Sequence, residues 1–351
     1  MTKLTYYKNL DGVRAVAALM VMTLHFFQGI KIDTPLLKTL FRLSYLGQTG
    51  VDLFFVLSGF LITRILLNSK NEQNYFRNFY TRRTLRIFPL YYLFLAIYYF
   101  ISPWIFNNER ISFADQIYYW IYLQNFAMTF GWSSLGPTHF WTLSIEEHFY
   151  LFWPVVIFYF SNRNVLRIIV LIIVGAILLR IVMLASSYNV GWFTLTNFDS
   201  LAIGALLSLL ELKGYFKKEN ASFFKILTVT IFIPTFFLWM LYTTEANFAM
   251  QVIKNTLLSF FFFALIGSIL SMNQNHSVNR FLQSTFLTHS GKISYGLYVY
   301  HLLAFRLVGF FLNSKFWELN MIIEFSLTYL LATLSYYLYE VKFLNLKKYV
   351  V

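Results

Sequence analysis

The chain has 351 residues, of which 58% are hydrophobic and 12% charged, about half the charged fraction of a soluble domain. Its 41 Phe and a net charge of +13 suit a protein embedded in the lipid bilayer with basic loops, so no nucleic acid is expected as a partner. The absence of cysteine excludes disulfides, thiolate metal sites and a cysteinyl acyl intermediate.

Apolar stretches of about 20 residues, enough to cross a bilayer, fall at 11–30, 48–67, 87–106, 139–160, 164–186, 224–243, 252–271, 293–313 and 319–340. A tenth, at 198–212, is shorter and carries Asp199 and Gly204. Segment 113–130 is strongly aromatic and reads as an interfacial or re-entrant helix. No secretory cleavage pattern follows the first apolar run, so it is expected to remain as a span. With ten spans, one set of alternate loops holds 18 Lys and Arg, from Lys3 and Lys8 through Arg77, Arg163 and Lys218 to Lys347 and Lys348. The other set holds six: Lys31, Lys38, Arg42, Arg110, Lys254 and Lys315. The positive-inside rule then places both termini in the cytoplasm. The expectation is an all-α, polytopic transmembrane helical bundle of about ten spans. It forms a single integral-membrane domain over 1–351, multi-pass in the inner or plasma membrane of the cell.

Arg14 and His25 are eleven residues apart in the first span, which puts them on nearly the same face, about 16 Å apart along the axis. Ionisable groups inside a span are costly in lipid and are expected to line a protein-enclosed cavity. The alternative is that Arg14 snorkels to the surface and His25 is an interhelical hydrogen-bonding residue. With the spans oriented, Asp52, Glu146, Glu147, His148, Asp199, Arg180 and Arg306 share the outer half of the bilayer with His25. A His beside a carboxylate is the arrangement of a general base, and Glu146 lies at a depth comparable to His25. A competing reading has Glu146 or Glu147 neutralising Arg180. The six His residues show no metal-site spacing, so no metal is expected. At the opposite face, "FYTRRTLRIFPLYY" sets Arg82, Arg83 and Arg86 at the start of the third span. Arg83 and Arg86 share a helical face, and guanidinium groups at a helix N-terminus suit phosphate. Topology alone also accounts for basic residues there.

Six strings occur in order: "LDGVRAVAALMVMTLH", "VDLFFVLSGFLIT", "RRTLRIFPLYY", "HFWTLSIEEHFYLFWP", "FDSLAIGALL" and "KISYGLYVYHLL". Together they make the chain, over nearly its whole length, resemble the membrane-bound acyltransferase-3 family, which includes O-antigen and other cell-surface polysaccharide O-acetylases. The resemblance implies that acyl-CoA, with acetyl-CoA the foremost candidate, is a donor substrate recognised from the cytoplasm by Arg83 and Arg86, with Arg82 beside them. His25 matches the family's essential histidine and Arg14 its paired arginine. Asp52, Ser58, Glu146, Tyr298 and His301 fall on recurrent motif positions. Asn197 stands where relatives often carry Arg before the Asp of "FDSLAIG", and Lys342 where many carry Pro after Glu340.

The expected function is an integral-membrane O-acyltransferase that moves an acyl group from acyl-CoA to a hydroxyl of a cell-surface or lipid-linked carbohydrate, with no permanently bound cofactor. In this reading His25 is the base, oriented by Glu146 or Asp52, and Arg14 positions the pantetheine or a charged group. Ser58, Asp199, Arg180, Tyr298 and His301 are assigned to substrate binding. Direct transfer needs no enzyme nucleophile, and acyl-His25 or acyl-Ser58 is the covalent alternative. A rival of another class is a secondary transporter or flippase of a glycan or lipid intermediate. Such a protein usually shows paired interrupted helices in its two halves, and no such symmetry is visible here.

Overall fold

The computed structural model describes residues 4–31, 34–241, 247–312 and 314–349, with side chains omitted for 238–241. The last residues of the 224–243 and 293–313 spans, and Lys3, lie outside the described residues. Helix makes up 82% of the structure, and no strand occurs among the described residues.

The first helices are α1 (Lys8–Gln28), α2 (Pro35–Ser44), α3 (Thr49–Ser69), α4 (Tyr75–Ala96), α5 (Ser102–Phe106), α6 (Phe113–Trp120) and α7 (Gln124–Phe130). Next come α8 (Trp141–Tyr159), α9 (Asn162–Ala185), α10 (Phe198–Leu212), α11 (Ala221–Leu241) and α12 (Phe248–Ser271). The chain ends with α13 (Ser277–Leu282), α14 (Thr285–Lys292), α15 (Ser294–Phe311), α16 (Trp317–Ser335) and α17 (Val341–Leu346). A π-helical turn at Ile97–Ile101 carries α4 into α5, and another at Tyr336–Glu340 carries α16 into α17.

Each of the ten expected spans coincides with a helix. Among the described residues, seven helical stretches are long and apolar enough to cross a membrane, and eight if α14 and α15, bent by 77° at their break, count as one. The chain is a multi-pass membrane protein. Two expected spans fall short for different reasons. At 15 residues, α10 covers about 22 Å of a hydrocarbon core about 30 Å thick. In α8 the run Glu146, Glu147, His148 lowers the hydropathy of an otherwise apolar helix. Segment 113–130 forms α6 and α7, of 8 and 7 residues, broken where Tyr122 takes a φ of 59°. Neither half is long enough to cross.

The chain folds into two compact units built from interleaved stretches. One contains the residues up to Tyr7, Asp52–Gln73 and Ile117–Arg280; the other contains Lys8–Val51, Asn74–Gln116 and the residues from Phe281 onward. In the first unit α9, α10 and α12 pack together and α11 lies along α12. There α3 and α10 approach so closely that a Cβ on Gly59 would collide with the Leu201 backbone, and one on Gly204 with the Val56 backbone. Lipid supplies no hydrophobic drive between spans, so small residues that let backbones touch are what holds such a pair. Trp153 of α8 is fully buried and donates its indole N–H to Thr63 of α3 at 2.7 Å.

In the second unit α1 packs on α14 and α15, and α15 on α16. Gly12 and Gly291 provide the close approaches here, against the Leu282 and Asp11 backbones. Helices α15 and α16 run antiparallel: Gly296 meets Ala332, and Phe305 stacks on Phe325 with ring centroids 5.9 Å apart.

Candidate active site

The α1 helix presents Arg14 and His25 on one face, about 16 Å apart along its axis. His25 Nδ1 lies 2.8 Å from His301 Nε2, the ring planes 15° from parallel. His301 Nδ1 lies 2.6 Å from the Tyr298 carbonyl oxygen. A carbonyl only accepts, so His301 Nδ1 carries the hydrogen. In the neutral pair His301 Nε2 is then the acceptor and His25 donates from Nδ1. This leaves the His25 lone pair on Nε2. His301 is fully buried, whereas His25 is half-buried, so the supported ring is the accessible one. Phe305 closes on His301 edge-on at 5.8 Å, and Phe26 meets both Phe305 and Phe325 at 6.2 and 6.3 Å.

The hydrogen bond that sequence reasoning assigned to Glu146 or Asp52 is thus made by His301. A neutral chain of donor and acceptor sits among phenylalanines without the desolvation penalty of a buried ion pair.

On α4, Arg83 and Arg86 are half-buried on one face and Arg82 is exposed. The helix begins at Tyr75, so the expected placement of these arginines at a helix N-terminus is not met. Residues 75–81 add about two turns before them, and any anion held here is held by side chains. Arg86 is within electrostatic reach of Arg14, Arg83 and Glu340. Lys347, in the turn after α17, is within reach of Arg82, Arg83 and Arg86, because α4 packs against α17 and that turn. Arg14 is paired with Asp11 at 3.2 Å. From this basic cluster a polar column continues along α16 and α15: Ser335 donates to Glu340 at 3.1 Å, and Tyr300, next to His301, donates to Ser335 at 3.3 Å.

In the first unit Ser58 donates to the Glu146 carboxylate, and the Tyr150 hydroxyl donates to Ser58 at 3.0 Å. Arg180 of α9 gives Nη2 to both Asp199 oxygens at 2.7 and 2.8 Å and to the Thr196 carbonyl. Its Nη1 reaches Thr256 at 2.8 Å and the Val252 carbonyl at 3.1 Å. With side-chain exposures of 1% and 0%, the Arg180–Asp199 pair is sealed between α9, α10 and α12. The partner of Arg180 is therefore Asp199, not Glu146 or Glu147, and the geometry is that of a brace. Asp52 is buried within electrostatic reach of Lys254, Asp199 and Arg180. Lys254, counted among the loop cations, lies inside α12. Arg64 pairs with Glu211 at 2.6 Å, and Tyr7 donates to Glu211 at 2.8 Å; burial, reinforced by that carboxylate, pushes the Tyr7 phenol above its ordinary range.

A family model for an acyltransferase domain, Acyl_transf_3, matches residues 7–340. The chain belongs to the acyltransferase-3 family. Among its relatives, the peptidoglycan O-acetyltransferase OatA of Listeria monocytogenes (strain EGD-e) is 27% identical over 362 residues, covering 94% of this chain and 54% of its own length. The O-acetyltransferase OatA of Staphylococcus aureus (strain NCTC 8325) is 28% identical over 351 residues, covering 94% of this chain and 56% of its own. The acyltransferase-3 chain thus spans just over half the length of these relatives. No solved structure matches it significantly.

Sequence reasoning gave no place in the site to four charged residues of this acyltransferase-3 chain: Asp11, Lys254, Glu340 and Lys347. Asp11 was readable, since it stands three residues before Arg14, the spacing of a helical ion pair. Lys347 was not, because its place beside the arginines depends on α17 packing against α4.

Proposed function

We propose that this acyltransferase-3 chain is an integral-membrane O-acyltransferase that moves an acyl group, acetyl foremost, from acyl-CoA to a hydroxyl of a cell-surface or lipid-linked carbohydrate. Residues 1–351 act as one membrane domain with both termini cytoplasmic. The observation that carries this reading is the hydrogen-bond chain from Tyr298 through His301 to His25. It leaves a basic nitrogen on the same stripe of α1 as Arg14, which belongs to the basic cluster. The relatives, a peptidoglycan O-acetyltransferase among them, support acetyl as the group and a glycan as the acceptor.

In this mechanism Arg83 and Arg86, with Arg82 and Lys347, hold the phosphates of the donor through charge-assisted bonds. Arg14 aligns the thioester arm along α1. His25 Nε2 takes the proton of the acceptor hydroxyl while its oxygen attacks the thioester carbonyl; the new C–O bond forms, the C–S bond breaks, and the imidazolium returns its proton to the departing thiolate. The transient imidazolium is stabilised through Nδ1–H by the neutral His301 acceptor. Ser58, polarised by Glu146, is the hydroxyl to test for an acyl-enzyme route: Ser58→Ala abolishes that route and spares direct transfer.

The test is acetyl-CoA turnover by purified protein in nanodiscs, with a glycan acceptor. Acceptor-stimulated CoA release is expected in the wild type. His25→Gln should lower it by about 10²–10⁴-fold while thermal stability and acetyl-CoA binding persist. Near-wild-type turnover by His25→Gln removes His25 from the mechanism. Movement of solute with no CoA release favours a transporter instead.

A further inference from the structure

Glu324 places a carboxylate in the stretch Trp317–Tyr349, which is long and apolar enough to cross a membrane. Its backbone carbonyl accepts from Thr328 at 2.7 Å, but among the described residues no hydrogen bond or ion pair reaches its side chain. It lies off the exposed stripe of α16. The exposed residues of α16 are Glu318, Leu319, Ile322, Ser326, Leu330 and Leu334, while Thr328 and Ala332 form the buried face. Glu324, one turn from Thr328, belongs to that buried face and is half-buried.

The register of α15 against α16 gives its height. Gly296 opposite Ala332 and Phe305 opposite Phe325 set His301 level with Thr328 and Glu324 level with Ala304 and Phe305. Glu324 therefore stands about 6 Å beyond the histidine pair, on the side away from Arg86 and Glu340. The same aromatic group links the two places, since Phe305 touches His301 and Phe325, the chain neighbour of Glu324.

We propose that Glu324 is an acceptor-binding residue, whose carboxylate receives hydrogen bonds from neighbouring hydroxyls of a carbohydrate while His25 takes the proton of the reacting one. This rests on the reading of His25 as the base. An unpartnered carboxylate among apolar side chains is costly, and a purely structural position would be better filled by Leu or Met. An ionised carboxylate only accepts, and sugar hydroxyls donate. The same negative charge repels the phosphates of an acyl-CoA, so the ligand at Glu324 is the acceptor and not the donor.

The experiment compares wild type, Glu324→Gln and Glu324→Met in nanodiscs, using chitotriose as the carbohydrate probe. Chitotriose binding is read by intrinsic fluorescence without donor, alongside acetyl-CoA turnover and thermal midpoint. Both variants should bind chitotriose about 10- to 150-fold more weakly, the weight of one hydrogen bond to a charged group. Their KM for acetyl-CoA should stay within about twofold, and their thermal midpoints should equal or exceed that of wild type, because an uncompensated carboxylate has gone. Chitotriose binding that ignores Glu324, no chitotriose binding by wild type, or lost binding matched by a lower midpoint in Glu324→Met overturns the proposal. If wild type binds chitotriose through Glu324 but releases no CoA from acetyl-CoA, the donor reading falls and the acceptor site stands. If turnover is intact and binding does not depend on Glu324, the acceptor site falls and the donor reading stands.

Discussion

Replacing His301 tests the hydrogen-bond chain most directly. Its Nε2 is the acceptor, at 2.8 Å, for the proton on His25 Nδ1. When His25 takes the acceptor proton, this becomes a charge-assisted bond, contributing about 1.5–3 kcal/mol. At about 1.36 kcal/mol per factor of ten, its loss lowers kcat by about 10- to 150-fold. His301→Ala would also open a cavity beside Phe305 at a cost of several kcal/mol, so the informative pair is His301→Leu and His301→Gln. Leu fills much of the volume and offers no acceptor. Gln restores an amide oxygen near the place of Nε2. Acetyl-CoA turnover at saturating acceptor, with thermal midpoints measured on the same preparations, should rank wild type above Gln and Gln above Leu. The midpoint shifts should not follow that ranking. A Leu variant within twofold of wild-type kcat, or rates that track the midpoints in both variants, refutes the reasoning.

Arg83→Ala and Arg86→Ala should each weaken equilibrium binding of acetyl-CoA by about 10- to 150-fold, one charge-assisted contact apiece. Unchanged affinity in a folded double variant removes the basic cluster as the donor site. Asp199→Ala leaves Arg180 buried without its partner and should cost about 3–5 kcal/mol of stability, seen as a lower thermal midpoint; a folded variant with normal stability and a raised KM would make the pair a substrate site instead. Single cysteines at Asn108 and Asn220 should be labelled by an impermeant reagent from opposite sides of the membrane, with no native cysteine to confuse the signal. Labelling of both from one side breaks the ten-span topology.

Much of the helical layout was legible in the sequence because it follows from properties of each segment alone. A backbone crossing lipid must satisfy its own hydrogen bonds, so a sufficiently long apolar run becomes a helix whatever surrounds it. Periodicity within one helix is equally local: Arg14 with His25, and Arg83 with Arg86, share faces as their spacing requires. The start of α4 was less legible. The polar run before Arg82 reads as loop, yet residues 75–81 are helical, with Tyr75 and Phe79 buried.

Partners between helices were another matter. His25 and His301 are separated by 276 positions, and several ionisable groups share a similar expected depth. The choice among them depends on which helix faces meet, and that is decided where backbones can come close: Gly12 and Gly291 around α1, Gly59 and Gly204 between α3 and α10. Periodicity carries no information about such contacts. The sequence therefore determined a basic end, a histidine some three turns away and the stripe joining them. Only the tertiary structure gave Asp199 to Arg180, Ser58 to Glu146 and a neutral imidazole to His25, because a buried polar group takes whichever partner packing brings within about 3 Å.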